Sequence, residues 1–228
     1  MSVLDFSRES ALIICDMQEG YRHTVHHFSS VLATTLRMIR LAGLVGIQVF
    51  LTKGRPTIFG ATVHEVEREI ARLLPALFGG SFTKTKYFGH SEELSRLLVD
   101  QKFRHATVCG VEAHIGVRVQ ASELMDKGLM IDILLDGISS RNKEEIPPSI
   151  SAMRDVANLN RFFIYFGTSE TISYGIIDHQ LKIGSLRVPV DDFLALILTE
   201  SQSISSGLKN LLGNGDETIS GDSSEVVE

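Results

Sequence analysis

The residues best placed to do chemistry follow two apolar, strand-like runs. Asp16 comes directly after the apolar run 11–15, which is typical of a parallel strand buried on both faces. A second such run turns at Gly110 and continues as an amphipathic helix, over residues 108–118. In open parallel sheets the carboxyl ends of the strands border the ligand crevice, where a following helix presents N–H groups to negative charge. We therefore predict a site at this edge, with Asp16 as its first candidate.

The residues after the second run resemble a known signature. Residues 110–116 read Gly-Val-Glu-Ala-His-Ile-Gly, which is similar to the Gly-Val-x-Thr-x-x-Cys pattern of the isochorismatase-like hydrolases, also called cysteine hydrolases. Residues 136–141 resemble a segment of the eukaryotic members. In most of the family the cysteine opens the helix and attacks the substrate carbonyl. Gly116 stands in that place and has no side chain to form a covalent intermediate, so the resemblance argues against thiol-dependent amide hydrolysis.

Two further motifs of the family supply a carboxylate and an ammonium group. Residues 15–18 resemble its first motif, whose aspartate, here Asp16, is a general acid or base. Lys84 and Tyr87 match a Lys-x-x-Tyr/Phe pattern with a catalytic lysine, which would favour the ionised aspartate and face developing negative charge. Without the resemblance, Asp16 is interpreted as a loop or helix-capping residue, and Lys84 and Lys86 as exposed lysines of an edge strand.

The resemblance also suggests a reaction and a substrate pocket. True isochorismatases carry glycine at the nucleophile position, within Tyr-Ala-His-Ile-Gly. Hydrolysis of a vinyl ether needs a proton on carbon and then attack by water, so one acid beside a cation suffices. Glu112, which replaces the tyrosine, and Ala113 are expected to bind substrate together with Tyr87, and the family implies a cis peptide near Val111–Glu112. Arg55 is a candidate partner for an anionic substrate, although a loop arginine is ordinarily only solvated.

Neither cysteine is expected to replace the missing thiol. The chain has two cysteines, Cys15 and Cys109, and both lie in apolar runs. Strand alternation points the sulfur of Cys15 away from the face that Asp16 presents, and Cys109 lies inside its strand. We interpret both as small core residues without a disulfide.

No metal or cofactor is expected. His23, His26 and His27 suggest a metal site, but no cysteine or carboxylate is spaced to complete it. The metal-binding members of the family use an Asp-x-His motif, and Lys-Gly-Arg occupies the corresponding place at 53–55.

The family resemblance implies a small-molecule ligand, and composition argues against two other classes of partner. The net charge is -6, which argues against nucleic acid and anionic membrane surfaces. No apolar run approaches the ~18 residues of a membrane span, and the first residues lack the pattern of a signal peptide. We expect a cytoplasmic protein that forms a homo-oligomer.

The alternation of strands and helices predicts the architecture that positions these residues. We predict a three-layer α/β/α sandwich around a Rossmann-like, mostly parallel, six-stranded sheet. The predicted strands are 11–15, 47–52, 81–88, 104–109, 129–136 and 162–166. Residues 1–212 form one predicted domain. The acidic, Gly- and Ser-rich residues 213–228 are predicted to be a disordered tail or to dock on a partner chain.

Three functions remain open from the sequence. The first is a hydrolase whose chemistry does not need a nucleophile and uses Asp16 as acid or base, with Lys84 as electrostatic partner. The second is a catalytically silent protein that binds a small molecule or serves in an oligomeric assembly. The third, a nucleic-acid enzyme, is opposed by the acidic net charge.

Overall fold

A parallel sheet forms the centre of the protein. The computed structural model describes residues 6–84 and 90–182, together with residues 189, 192 and 195. Within them, every pair of neighbouring strands is parallel and the strand order is β3-β2-β1-β4-β5-β6. The strands are β1 (Ser10–Cys15), β2 (Gln48–Gly54), β3 (Phe78–Lys84), β4 (His105–Val111), β5 (Met130–Ser139) and β6 (Ile164–Gly167). The predicted six-stranded α/β fold is confirmed.

Helices cover both faces of the sheet. They are α1 (Phe6–Glu9), α2 (Phe28–Val45), α3 (Pro56–Phe59), α4 (His64–Ile70), α5 (Glu92–Asp100), α6 (Arg118–Asp126), α7 (Ile146–Asn160) and α8 (Ser169–Lys182). One apolar cluster joins α2, α4 and α8 to the sheet, and a second joins α5, α6 and α7 to its other face. Because both faces are covered, every residue of the central strands β1 and β4 is buried.

Helix α2 is long and apolar. By length and composition it is the one helix among the described residues that could cross a membrane, and 61% of that window is buried inside the protein. Its Arg37 pairs with Asp136 of β5, and its Arg40 pairs with Glu69 of α4. In this fold α2 is therefore a core helix.

The boundaries of β3 differ from the prediction. The strand was predicted over 81–88, after a break at 75–80, but it occupies Phe78–Lys84. Gly79 lies inside it, and a Cβ there would come within 2.1 Å of the Phe50 ring. Gly79 therefore reflects close packing rather than an interruption of the strand. Residues 85–89, which include Tyr87, lie outside the described residues.

The turn predicted at Gly110 lies further along the chain. Gly110 is a residue of β4 with a φ of +114°, and a Cβ on it would lie 2.0 Å from the carbonyl oxygen of Cys15. Glycine is needed there because β1 approaches so closely. The chain turns after Val111, and the Val111–Glu112 peptide is cis, as the family resemblance implied. A π-helical turn, Ala113–Val117, then leads into α6.

Candidate active site

Asp16 and Lys84 form a buried ion pair at the carboxyl edge of the sheet. Asp16 follows β1, and Lys84 is the last residue of β3, two strands away. The Nζ of Lys84 donates a hydrogen bond of 2.8 Å to Oδ2 of Asp16, and the side chains are only 4% and 8% exposed. Thr52 of β2, the strand between them, donates from Oγ1 to Oδ1 of Asp16 at 2.8 Å. Both carboxylate oxygens are thus held by neighbouring strands.

The electrostatics of the pair keep Lys84 protonated. Burial alone would lower the pKa of its ammonium group, but the Asp16 carboxylate 2.8 Å away more than offsets this effect. The pKa of Lys84 is therefore raised above its usual value. The site presents a permanent cation that can stabilise negative charge developing beside Asp16.

Gly116 borders this ion pair directly. A Cβ built on Gly116 would lie 3.1 Å from Oδ2 of Asp16 and 3.2 Å from Nζ of Lys84. The residue is buried in the π-helical turn, where the N–H of Val117 donates to the carbonyl of Glu112 at 3.1 Å. Such turns interrupt α-helices frequently at functional sites. The structure thus brings Asp16, Lys84 and Gly116 together, as the sequence predicted.

The side chain of Gln18 links the segment after β1 to Gly54, at the end of β2, and to the loop that contains Gly60. The buried Gln18 side chain accepts from the N–H of Gly54 at 2.8 Å and donates to the carbonyl of Gly60 at 2.7 Å. Gly54 lies so close to the pair that a Cβ on it would be 3.3 Å from Oδ2 of Asp16. Arg55 follows Gly54 and is exposed, with a φ of 34°. It therefore lies on the rim of the site rather than in it.

Glu112 forms a second ion pair in the same region. Its carboxylate, only 4% exposed, accepts from Nε of Arg141 at 2.5 Å, from Nη2 at 3.2 Å and from the backbone N–H at 3.3 Å. The guanidinium is 51% exposed, and its hydrogen bonds to Glu112 raise the pKa of Arg141. The two charges balance each other, and the guanidinium of Arg141 is the member of the pair that reaches the surface.

Tyr21 lies near both ion pairs, whereas Ala113 lies in the core. Burial raises the pKa of Tyr21, and the Asp16 and Glu112 carboxylates raise it further, so the phenol lies within electrostatic range of both. Tyr21 stacks on Phe59 with ring centroids 4.6 Å apart. Ala113 is completely buried and packs in the core, and its carbonyl accepts from Ser149 at 3.0 Å. The side chain of Ala113 is therefore a core residue and not the substrate contact that was expected.

The cysteines are core residues, for a reason that differs in part from the prediction. Asp16 has a φ of 51°, so it leaves the strand and the alternation argument does not extend to it. Cys15 is nevertheless buried among apolar side chains. Burial raises the pKa of Cys15 to about 11 and that of Cys109 to about 12. Neither thiol supplies a thiolate near neutral pH.

The described residues bring one group of potential metal ligands together. The donor atoms of Glu19, His64 and Glu65 lie within 4.8 Å of one another. Arg22 already binds both carboxylates, at 2.8 Å each. A cation at this place would have to displace the guanidinium. The histidines at 23, 26 and 27 do not belong to the group.

Sequence reasoning did not assign a role to Thr52, Gln18 or Arg141. Gln18 lies in the quoted motif at 15–18, and Arg141 ends the segment at 136–141, so the resemblance contained a signal for both. Thr52 gave no comparable signal, because its hydrogen bond joins residues 36 positions apart in the chain.

The fold and site define a class of protein: a doubly wound α/β protein with a buried Asp–Lys ion pair beside the point where the strand order reverses, between β1 and β4. The Isochorismatase domain model matches residues 10–162. The chain belongs to the isochorismatase-like family.

Individual relatives agree with this assignment. Human isochorismatase domain-containing protein 2 is 30% identical over 145 residues, which are 64% of this chain and 67% of that protein. Zebrafish (Danio rerio) isochorismatase domain-containing protein 1 is 29% identical over 164 residues, covering 72% and 53%.

Solved structures share the fold. The MAR1 ribonuclease of Caenorhabditis elegans superposes with a TM-score of 0.66 at 21% identity, covering 96% of this chain and 98% of that one. The YcaC gene product of Escherichia coli, described as an octameric hydrolase of unknown specificity, gives a TM-score of 0.71 at 12% identity, covering 90% and 94%. At these identities the likeness concerns the fold alone.

Proposed function

We propose that this protein is an isochorismatase-like hydrolase without the family's nucleophilic cysteine, whose place Gly116 takes. The observation that carries the proposal is the position of Gly116, whose Cβ would lie 3.1 Å from Asp16 and 3.2 Å from Lys84. A cysteine there would have an acid–base group and a cation within reach. With glycine, the same two groups face backbone that carries no side chain. Any reaction must therefore proceed without a covalent intermediate at this position.

Hydrolysis of a vinyl ether fits these groups. Asp16 delivers a proton to the alkene carbon, which leaves an oxocarbenium ion beside the ether oxygen. Water adds to that cation, and its proton returns to Asp16. The resulting hemiketal collapses to a ketone and an alcohol, so one water is consumed and the carboxyl group is regenerated. Lys84 holds Asp16 in place and stabilises its carboxylate after the proton has left.

Arg141 is the proposed binding partner for an anionic group of the substrate. Its cation is half exposed and fixed by Glu112, whose carboxylate and that of Asp16 both act on Tyr21. An anionic group on the substrate would be bound from this side, with Arg55 on the rim as a further candidate.

A catalytically silent binding protein is the second candidate. It is favoured by the way Asp16 is held: Thr52 and Lys84 occupy its two oxygens at 2.8 Å each, and its side chain is only 8% exposed. A carboxylate that is satisfied on both oxygens can serve to fix the fold of a pocket that does no chemistry.

One experiment separates the two candidates. Purified protein is incubated with a small vinyl ether that carries a carboxylate, with small amides and with RNA, and its melting temperature is measured with each compound. Turnover of the vinyl ether that is lost in Asp16→Asn, but kept in the exposed control Asp100→Asn, supports the hydrolase. Thermal stabilisation without turnover supports the binding protein. Amide or RNA cleavage would contradict both.

We also propose that the chain forms a homo-oligomer. The structural neighbour YcaC is described as octameric, and exposed aromatic side chains on and beside the edge strand β6, Phe163 and Tyr165, give this chain an apolar surface to bury. Sedimentation of the purified chain tests the proposal. A monomer at micromolar concentration would overturn it.

A further inference from the structure

A cavity lies at the carboxyl end of β5. It has a volume of about 620 Å³ and is enclosed by the start of α2, the end of β5 and the first turns of α7. Asp16, Lys84 and Gly116 do not line it. The proposed reaction gives this space no role, so its occupant is a separate question.

The wall of the cavity is largely aliphatic. It is formed by side chains from three elements, namely Val31, Leu135, Ile138, Ile146, Pro147 and Ile150. Asp136 also borders the cavity, but this buried carboxylate accepts from the N–H of Ser169 at 2.8 Å and pairs with Arg37 at 3.4 Å. Its charge is therefore balanced inside the protein. A fully polar ligand would lose water against such a wall without replacing its hydrogen bonds.

The rim carries most of the charge, and cationic groups predominate. Lys143 and Arg154 border the cavity together with the exposed imidazoles of His26 and His27, and Glu144 is the acidic residue among them. The guanidinium of Arg154 lies 4.9 Å from the centre of the Phe166 ring, which restricts its position. The sequence had singled out these histidines as a possible metal cluster, and the structure places them at the mouth of an apolar cavity instead.

We propose that this cavity is a binding site for a small amphipathic carboxylate, such as a medium-chain fatty acid. The aliphatic wall receives the hydrocarbon part, because burial of apolar surface drives binding. Arg154 and Lys143 receive the carboxylate at the rim, where a charged group stays partly solvated. The volume lies within the range of pockets that enclose small organic ligands, on the order of 300–1,000 Å³.

Octanoate is a suitable probe of the full-length protein. Calorimetric titration is expected to give saturable binding with a Kd on the order of 0.1 mM. Octylammonium, which has the same chain and the opposite charge, is expected to bind at least about tenfold more weakly. In protein labelled at isoleucine methyl groups, octanoate is expected to shift the resonances of Ile138, Ile146 and Ile150.

Matched variants locate the site. Arg154→Gln is expected to weaken octanoate binding about tenfold, whereas Arg68→Gln, an exposed arginine of α4, leaves it unchanged. Ser151 is exposed and borders the cavity, so Ser151→Trp fills its mouth with little cost to folding and is expected to abolish binding. Melting temperatures show whether each variant is folded.

Three results would overturn the proposal. They are the absence of saturable binding, equal affinity for octanoate and octylammonium, and methyl shifts confined to isoleucines outside the cavity, such as Ile14 and Ile115. All three leave the proposed hydrolase untouched, because its assay concerns Asp16 and a different substrate.

Discussion

Oδ2 of Asp16 accepts a hydrogen bond of 2.8 Å from Nζ of Lys84 beside the one residue of the π-helical turn that has no side chain, Gly116. Asp16 follows β1 and Lys84 ends β3, and these two strands lie on either side of β2. The two side chains meet because the three parallel strands have their carboxyl ends at the same edge of the sheet. Stability, reactivity and activity should therefore all depend on this contact.

Replacement of Lys84 by methionine should be strongly destabilising. It leaves the Asp16 carboxylate buried without its cation, and the loss of one partner of a buried pair typically costs about 3–5 kcal/mol. The free energy of unfolding in urea measures the effect. The double variant Asp16→Asn, Lys84→Met should recover part of the loss, since it removes the unpaired charge. A cost below about 1 kcal/mol for Lys84→Met would show that the carboxylate is not buried as described.

Removal of the guanidinium of Arg141 should be less costly. Arg141→Met leaves the Glu112 carboxylate without its cation, but water can approach from the exposed side. We therefore expect the free energy of unfolding to fall by about 1–3 kcal/mol. Arg118→Met serves as the control, because Arg118 is exposed and contacts only the carbonyl of His114, at 3.1 Å, among the hydrogen bonds of the described residues. Equal stability of the two variants would contradict a stabilising ion pair between Glu112 and Arg141.

The free energy of unfolding should fall at alkaline pH because of the two buried thiols. The pKa of each is raised in the folded protein, from 9.0 to about 11 for Cys15 and to about 12 for Cys109. Their contribution is therefore complete below pH 9 and is lost as the pH rises toward 12, where only the unfolded chain ionises readily. Urea titrations from pH 8 to pH 11 should show a decline that is shallower in Cys109→Ala. If the free energy of unfolding declined equally steeply with pH in Cys109→Ala, the buried thiol of Cys109 would not be a cause of the decline.

Gly110 and Gly128 separate the cost of an unfavourable backbone angle from the cost of a steric clash. Both have positive φ, +114° and +88°, but a Cβ on Gly110 would lie 2.0 Å from backbone oxygen, whereas nothing lies within 4 Å of one on Gly128. Gly128→Ala should cost about 1 kcal/mol. Gly110→Ala should prevent folding or lower the melting temperature far more. Similar melting temperatures for the two variants would show that β1 does not press on β4 at this point.

Much of this arrangement could be predicted from the sequence. The apolar runs place Asp16 at the end of one strand and Gly116 in the turn that follows a second strand, and the parallel topology then brings the two together. The partners of Asp16 on β2 could not be predicted, because Thr52 gains its role only from the register between strands. Gly79 and Gly110 were interpreted as a break and a turn for a similar reason: the close approach of Phe50 to Gly79 and of Cys15 to Gly110 is a tertiary contact without a local signal.

The reactivity of Gly116→Cys tests the central claim most directly. A cysteine at this position would have Asp16 and Lys84 beside its Cβ, and the ammonium group should lower the pKa of the thiol and increase the thiolate fraction at neutral pH. Gly116→Ala controls for the tight fit of any side chain, and melting temperatures show that both variants are folded. We predict that iodoacetamide at pH 7 alkylates the new thiol on the order of a hundredfold faster than Cys15 or Cys109. A rate no faster than that of these two buried thiols would contradict the placement of Gly116 beside the Asp16–Lys84 pair.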